Sequence, residues 1–509
     1  MTGRRRRLQA WLASCLAALA LSTAAAQAPP AAIPSDASPI ERRIFTAVEQ
    51  VRQGGSADAR RVLDEIVDGA ELERARPAYR QSALESAALL ALNAREFPRA
   101  HELLVRATVM ETATARTWQL LIFASVNTGD SDAIRGLTTL AERWPQQLAT
   151  TEPRLVMAVA SEAMRRQEGD VRLLTALFKA RWTVPNEGEP GPLWSEFALL
   201  LLERGDEQLA REVAMRVTGA DSLVAMHADA RFDELLAADP RRFDIAAAAA
   251  AEIARAQERM RSSPDLIAPI LRLGFALAAN NRCAEALQVD DAAIARASGP
   301  TAEERPFRDT GEQLVWLLDN RARHLACLGR WDESVRQRSR AGILTERGGP
   351  NTSQVINYAH LLVTVGRPAD ALRALEAVGP MSEYGRMEET WARLRAHAQL
   401  RNAEGVRAAL AYLEEHRYVS LDVYLDALVD AGEIDKTAEL LIELLADRRA
   451  RVGILVRLQR YAESPLTPVG AERKARWDSL VVRPDVRAAI ASVGRLETYP
   501  FLRRSLSVE

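Results

Sequence analysis

The sequence of 509 residues has few of the residues on which enzymes and metal proteins depend. It contains six histidines and three cysteines. They form no H-E-x-x-H zinc motif, and the chain has no G-x-S-x-G nucleophile turn and no G-x-x-x-x-G-K phosphate loop. The segment HELLV (101–105) lacks the second histidine of a zinc protease. We therefore predict a protein that is not an enzyme and that has no catalytic residue, cofactor or metal site.

Lysine and aromatic residues are also scarce. Lysine occurs only at Lys179, Lys436 and Lys474, so nearly all of the 67 basic residues are arginine, and aromatic residues make up 5% of the chain. The 69 acidic residues are interspersed with the basic ones, and the net charge is −2. A protein that binds nucleic acid concentrates basic charge on one face or stripe. We therefore predict no nucleic-acid partner.

Beyond its N-terminus the chain has no apolar run of the length, about 18 residues or more, that predicts a membrane span. The N-terminus itself has a basic head (4–7), an apolar middle (8–21) and then small residues, which is typical of a secretory signal peptide. We predict a signal peptide at 1–26, cleavage after Ala26 and a Pro/Ala-rich tether at 27–40. The mature protein would then lie in the periplasm of a Gram-negative bacterium, without an integral membrane span.

An alternative interpretation of the N-terminus is a lipid anchor. The segment LASC (12–15) is similar to a lipoprotein box, which would place a lipid on Cys15 and the protein at the outer membrane. The apolar region continues beyond Cys15, whereas a lipoprotein box should end it. A lipid-anchored scaffold therefore remains the minor alternative.

Helical periodicity is the most prominent pattern in the sequence. In NYAHLLVTVGRPADALRALEAVG (357–379), apolar residues recur at the spacing of a helix face on both sides of Gly366. Glycine allows the left-handed backbone of a tight turn between two helices, and the small Ala359 and Ala371 allow those helices to approach closely. The stretch therefore predicts a helical hairpin. Its apolar stripes are Val355, Tyr358, Ala359 and Leu362 before the turn, and Ala371, Leu375 and Val378 after it.

This hairpin resembles the tetratricopeptide repeat, whose period is about 34 residues. Similar stretches occur at 83–107, 194–217 and 270–293, and looser ones at 118–134, 325–335 and 424–441. The positions proposed for the turns within hairpins are Gly54, Arg95, Gly129, Gly169, Gly205, Asn281, Gly329, Gly366, Asn402 and Gly432. The resemblance implies an all-α fold, an α-solenoid (superhelix) of about ten antiparallel helix pairs with a helical C-terminal cap. The rival interpretation is an irregular helical array without a true repeat.

The long interval between the turns at Gly205 and Asn281 predicts that the array is interrupted. We predict an N-terminal array at 41–218, junction helices at 219–262, a C-terminal array at 263–460 and a cap at 461–509. A cap is expected because the last apolar face of a solenoid would otherwise meet water. The segment DSLVAMHADARFDELL (221–236) is echoed by DSLVVRPDVRAAI (478–490).

Candidate site residues follow from the family, whose first helices line a concave groove that binds peptides. Asp422, Asp426 and Asp430 lie on one helical face and predict a groove for a basic peptide, unless they form an ordinary solvated face. The lysines and asparagines with which some family members clamp an acidic chain end are absent from the matching positions. Three rings could be apolar anchors in the groove or simply buried: Phe123, Phe275 and Trp316.

Cys283 and Cys327 are predicted near adjoining helix ends, where they form either a disulfide or two buried thiols. Taken together, the sequence predicts a periplasmic scaffold that binds a protein or peptide partner, in a setting such as envelope assembly or export. The alternative from another class is a cell-wall hydrolase of the lytic-transglycosylase type, because ASEAM (160–164) and WSEF (194–197) contain Ser-Glu pairs similar to the catalytic segment of that family. Both pairs fall inside predicted repeat helices.

Overall fold

The computed structural model describes residues 33–54, 57–165, 171–185, 188–297, 307–342 and 351–503. The predicted signal peptide, the lipoprotein-box cysteine and most of the predicted tether lie outside the described residues. The chain divides into two compact units. The N-terminal unit ends at Arg216 and the C-terminal unit begins at Val217, close to residue 218, where the sequence predicts the end of the first array.

The described part of the N-terminal unit is built from helices. They are α1 (Pro39–Arg52), α2 (Ala57–Asp68), α3 (Pro77–Asn93), α4 (Phe97–Thr108), α5 (Ala115–Thr128), α6 (Asp132–Arg143), α7 (Pro153–Arg165), α8 (Val171–Lys179), α9 (Gly191–Glu203) and α10 (Glu207–Ala214), with 3-10 turns at Ala70–Arg74 and Pro145–Thr150. Helices adjacent in the chain pack against each other in pairs, and each pair packs on the next. The unit is therefore a stack of helical hairpins.

The C-terminal unit has the same construction. Its helices are α11 (Ala220–Ala228), α12 (Asp233–Ala238), α13 (Ile245–Ser262), α14 (Ala268–Ala279), α15 (Cys283–Ala297), α16 (Thr310–Cys327), α17 (Trp331–Gly342), α18 (Thr352–Thr364), α19 (Pro368–Leu375), α20 (Glu383–Gln399), α21 (Ala403–Glu415), α22 (Leu421–Ala431), α23 (Ile434–Ala446), α24 (Arg451–Leu458), α25 (Pro468–Val482) and α26 (Pro484–Ala491), with a 3-10 turn at Ala230–Phe232. Two-residue strands, β1 (Arg460–Tyr461) and β2 (Thr498–Tyr499), pair in parallel. The prediction of an all-α stack of about ten helix pairs is confirmed.

A recurring backbone turn explains why the hairpins form where they do. The first helix of a pair ends in a residue with positive φ, and the next backbone N–H bonds back into the last helical turn. At Gly366, for example, φ is 75°, and Arg367 N donates to Leu362 O at 2.8 Å. This is the hydrogen bond of a Schellman motif, which satisfies carbonyls that the helix end leaves unpaired.

Most of the turn positions predicted from the sequence have this conformation. Positive φ occurs at Gly54, Arg95, Gly129, Gly205, Asn281, Gly329, Gly366 and Gly432. Gly169 lies outside the described residues. The prediction at Asn402 is wrong by one residue, because Arg401 has the positive φ of 56°. The Asn402 side chain instead caps α21 by accepting a hydrogen bond from Gly405 N at 3.0 Å.

Small residues lie where helices cross, as the hairpin at 357–379 predicts. Ala359 and Ala371 are fully buried in one apolar cluster with Leu362 and Leu375. Ala392 of the next hairpin belongs to the same cluster. The alanines therefore serve both the crossing within a hairpin and the contact between hairpins. Such close-packed crossings have no room for a larger side chain, and overpacking there would destabilise the fold by about 1–3 kcal/mol.

Candidate interaction surface

The predicted acidic stripe lies on α22, and its three carboxylates differ in exposure. The Asp422 side chain is 81% exposed, whereas that of Asp430 is only 8% exposed. Asp426 is also largely buried. A face that binds a peptide through charge needs accessible carboxylates, so only Asp422 retains the exposure that the prediction requires.

Arginines of the same chain form ion pairs with the two buried carboxylates, those of Asp426 and Asp430. Arg457 of α24 and Arg473 of α25 both pair with Asp426. Arg473 Nε also donates to Asp430 Oδ1 at 3.0 Å, and Trp391 Nε1 donates to Asp430 Oδ2 at 2.8 Å. The prediction of a groove for a basic peptide is therefore wrong for Asp426 and Asp430. A basic segment does face them, but it is the chain's own C-terminal region.

The network continues through buried groups on the neighbouring first helices. Arg395 Nε lies 3.7 Å from Asp430 Oδ2, and Arg395 Nη2 donates to Thr364 Oγ1 at 3.0 Å. The buried His360 ring lies 4.7 Å from the Trp391 ring, centroid to centroid. Burial lowers the pKa of His360, although a hydrogen bond with Glu388 opposes the shift. The imidazole is therefore neutral at neutral pH, and the cations in this network are arginines.

The segment 460–503, which we call the C-terminal arm, runs back along the turns of four hairpins. Arg503 Nε donates to Asn281 Oδ1 at 2.7 Å, at the turn between α14 and α15. Pro465 packs against the turn residue Gly329, and Thr467 Oγ1 donates to Thr364 O at 2.6 Å. Arg476 Nη1 donates to Asp430 O at 2.9 Å, near the turn between α22 and α23. The arm therefore holds both early and late hairpins of its unit.

The arm also joins the first helix of the C-terminal unit to its last hairpin. Ala230 N donates to Val493 O at 3.1 Å, and Arg495 N donates to Ala228 O at 2.9 Å. A Cβ on Gly494 would lie 2.0 Å from Ala228 O, so only glycine fits at this point. Ala228 shares an apolar cluster with Leu480 and Val486 of the arm. The predicted cap thus covers the terminal hairpin, and the two echoed DSLV segments meet in it.

The predicted aromatic anchors have different environments. Phe123 is fully buried and makes an edge contact with Phe97, so it is a core residue and not an anchor. Trp316 is partly buried and packs against apolar clusters around α16. Phe275, on the first helix α14, is 46% exposed. Of the three, Phe275 is the ring that a partner could reach most readily.

Cys283 and Cys327 are joined as a disulfide, with their Cα atoms 6.2 Å apart. Next to it, His324 Nδ1 lies 2.6 Å from Asp290 Oδ2, and both side chains are buried. The sequence prediction omitted this pair as well as Arg457 and Arg473. A signal for Arg473 was present, because RKAR (473–476) is basic and lies just before DSLVVRPDVRAAI (478–490), the segment that echoes 221–236.

The two Ser-Glu pairs considered for a hydrolase lie inside helices, as predicted. Glu162 of α7 pairs with Arg165 one helical turn further on. Ser195 Oγ of α9 donates to Pro192 O at 3.0 Å, and burial raises the pKa of Glu196. By these contacts, Glu162 and Ser195 each bond a residue of their own helix.

Taken together, the chain is an all-α protein of stacked helical hairpins. Among the residues that the structure describes, no helix has both the length and the apolar character needed to cross a bilayer. No protein-family model matches the chain, and no curated protein matches it in sequence.

Two solved structures are similar to parts of this arrangement. One is the crystal structure of the APC/C hetero-tetramer Cut9-Hcn1, at 11% identity, covering 93% of this chain and 88% of that one, with a TM-score of 0.29. The other is the structure of Naa15/Naa10 bound to HypK-THB, at 11% identity, covering 89% and 80%, with a TM-score of 0.18. Scores this low do not establish a common fold, so the fold assignment depends on the hairpins described above.

Proposed function

We propose that the protein is an exported scaffold that binds a protein partner in the periplasm, in a process such as envelope assembly or export. The proposal is supported by the stacked hairpins, by the signal-peptide pattern at 1–26 and by the scarcity of catalytic motifs. A preformed surface of stacked helices can bind with little loss of conformational entropy, so moderate contacts can yield specific binding.

The single observation that carries the proposal is the exposure of Phe275. Its neighbours Leu273 and Leu277 on α14 are buried, yet the Phe275 ring is 46% exposed on the opposite strip of the helix. Large aromatic side chains that become buried on binding supply much of the binding free energy at protein interfaces. Phe275 is therefore the anchor that we assign to the partner contact, in place of the acidic stripe.

Site-specific crosslinking in the native organism tests this assignment. A photoreactive phenylalanine analogue at Phe275 should yield a discrete crosslinked species in the periplasmic fraction after irradiation. Leu400 is the matched control, because it has the same exposed fraction, 46%, but lies at a turn. Crosslinking at Leu400 should yield no such species. Equal crosslinking at both positions, or none at Phe275, would contradict the proposed role of Phe275.

The location is tested separately by the N-terminus of the purified mature protein. We expect a mass that corresponds to a chain beginning at Gln27. A mass that corresponds to a lipid-modified Cys15 would support the anchored alternative, and an uncleaved N-terminus would contradict export.

A further inference from the structure

A histidine and two aspartates converge on the surface of the N-terminal unit. His101 is on α4, the second helix of one hairpin. Asp130 follows the turn residue Gly129, and Asp132 is the first residue of α6, the second helix of the next hairpin. His101 Nε2 lies 3.1 Å from Asp132 Oδ2 and 3.9 Å from Asp130 Oδ1. One donor atom of each residue lies within 4.8 Å of the other two.

These separations suit one bound metal ion. Donor atoms at about 2.1 Å from a single zinc ion lie roughly 3 to 4 Å from one another, depending on the angle between them. The His101 and Asp132 side chains are 18% and 23% exposed and that of Asp130 is 43% exposed. The three groups are thus partly ordered by packing and still open to solvent, which leaves coordination positions for water.

The neighbouring junctions between hairpins show what is unusual here. Between α2 and α4, Asp68 pairs with Arg99. Between α6 and α8, Glu142 pairs with Arg172 at 2.8 Å. Each of those pairs joins a carboxylate to a permanent cation. The junction between α4 and α6 instead faces two carboxylates with an imidazole, whose charge depends on protonation.

Helix capping explains part of the arrangement but not all of it. Asp130 Oδ1 accepts a hydrogen bond from Asp132 N at 2.9 Å, as expected at a helix start. Arg135 Nε donates to Asp132 Oδ1 at 2.9 Å and balances one of the two negative charges. Neither contact involves His101, and neither supplies a cation between the imidazole and the carboxylates.

We propose that His101, Asp130 and Asp132 bind a divalent zinc ion, in contrast to the expectation from the sequence that the protein has no metal site. An imidazole nitrogen with two carboxylate oxygens is a donor set suited to zinc, whereas calcium and magnesium prefer oxygen donors alone. The ion would link α4 to α6 and so hold two successive hairpins of the N-terminal unit together.

Isothermal titration calorimetry tests the proposal. The full mature protein is titrated with zinc chloride in a non-chelating buffer. We expect one zinc ion bound per chain, and binding of calcium and magnesium chloride at least tenfold weaker. His101→Gln and Asp130→Asn should each weaken zinc binding at least tenfold. Arg135→Met should strengthen it several-fold, because a competing positive charge is removed from Asp132 while the side chain still covers Trp118.

His416→Gln is the matched control, since His416 directly follows α21, hydrogen-bonds the carbonyl of Tyr412 and stacks on the Tyr412 ring. Its zinc affinity should equal that of the wild type. Circular dichroism must show that each variant keeps its helical content, and Asp130→Asn, at an exposed position, serves if His101→Gln unfolds. The proposal would be overturned if the wild-type protein bound no zinc. It would also be overturned if His101→Gln and Asp130→Asn bound zinc as tightly as the wild type.

Discussion

The two units are built from the same hairpins but differ in how far along the sequence their contacts run. In the N-terminal unit, contacts between hairpins join residues about one repeat apart, as when Arg106 Nη2 donates to Val67 O at 2.8 Å, a separation of 39. In the C-terminal unit the arm adds contacts such as that of Arg503 with Asn281, 222 residues apart. A stack held by nearest neighbours can open hairpin by hairpin, whereas a stack with joined ends opens as a whole.

The cap of the C-terminal unit does more than cover the last apolar face of its stack. In the C-terminal unit Arg473 of the arm also pairs with Asp426 and Asp430 of α22. We therefore expect the C-terminal unit to unfold more cooperatively than the N-terminal unit. We expect hydrogen exchange to show uniform protection across the C-terminal unit and graded protection along the N-terminal unit.

Loss of the disulfide should produce the largest change in the stability of the C-terminal unit relative to the N-terminal unit. Cys283 and Cys327 close a loop with a sequence separation of 44. By the chain-entropy estimate such a crosslink stabilises by about 4 kcal/mol. The double variant Cys283→Ser/Cys327→Ser should lose about that much in urea unfolding, with faster hydrogen exchange confined to the C-terminal unit. Unchanged exchange in that unit, or an equal change in both units, would contradict the expectation.

Removal of one buried carboxylate should have the next largest effect. Asp430→Ala leaves Arg473 and Arg395 without their shared partner and Trp391 Nε1 without its acceptor. Breaking a buried ion pair from one side costs about 3 kcal/mol or more. The control is Asp422→Ala on the same helix, where the side chain is 81% exposed and the cost should stay within about 0.5 kcal/mol. Equal urea midpoints for the two variants would mean that the arm does not depend on this network.

A methyl group at the closure point should have a smaller but more specific effect. Gly494→Ala places a Cβ 2.0 Å from Ala228 O, so the backbone pairing between the arm and α11 must shift. We expect a loss of about 2 kcal/mol. Gly453→Ala, inside α24 at a position where an added Cβ would meet no atom within 4 Å, should be neutral or stabilising. In Gly494→Ala, hydrogen exchange should show α11 opening before the other helices. An unchanged exchange rate in α11 would contradict the role of the arm in holding this helix.

The sequence predicts the local part of this fold well, because its signals are local. Apolar stripes and turn glycines lie within one hairpin, so Gly366 and Gly432 could be placed from a window of a few residues. The turn at Arg401 was placed one residue too late, because the neighbouring Asn402 is of a type that more often has positive φ. Such positions are fixed by the packing of the whole hairpin.

The candidate surface was harder to predict, because it depends on contacts across long sequence distances. The helical spacing of Asp422, Asp426 and Asp430 predicts a common face but not what covers it. Only the fold shows that Arg473, 47 residues after Asp426, reaches back to that face. The same holds for Phe123 and Phe275, whose different exposures depend on neighbours in other helices.

Protonation of Glu41 of the N-terminal unit at acid pH should produce the smallest effect. Arg76 Nε donates to Glu41 Oε1 at 2.7 Å, and Ser38 N donates to Glu41 Oε2 at 2.9 Å. The side-chain hydrogen bond with Arg76, opposed by burial and aided by the backbone bonds, lowers the pKa of Glu41 from 4.5 to about 2. Because the folded-state pKa is depressed, this carboxylate stabilises the unit above pH 4.5 and ceases to do so as the pH falls toward 2.

Glu41→Gln should therefore flatten the pH dependence of the N-terminal unit in that window. Solvent screens the pair, since the Arg76 side chain is 47% exposed, so the change in thermal midpoint between about pH 5 and pH 3 should be modest. The control is Glu65→Gln on α2, an exposed carboxylate that pairs with Arg61 one helical turn away. It should keep the wild-type pH dependence. If the thermal midpoints of Glu41→Gln and Glu65→Gln depend on pH in the same way, Glu41 does not stabilise the first hairpin. The acid sensitivity of the N-terminal unit would then have another origin.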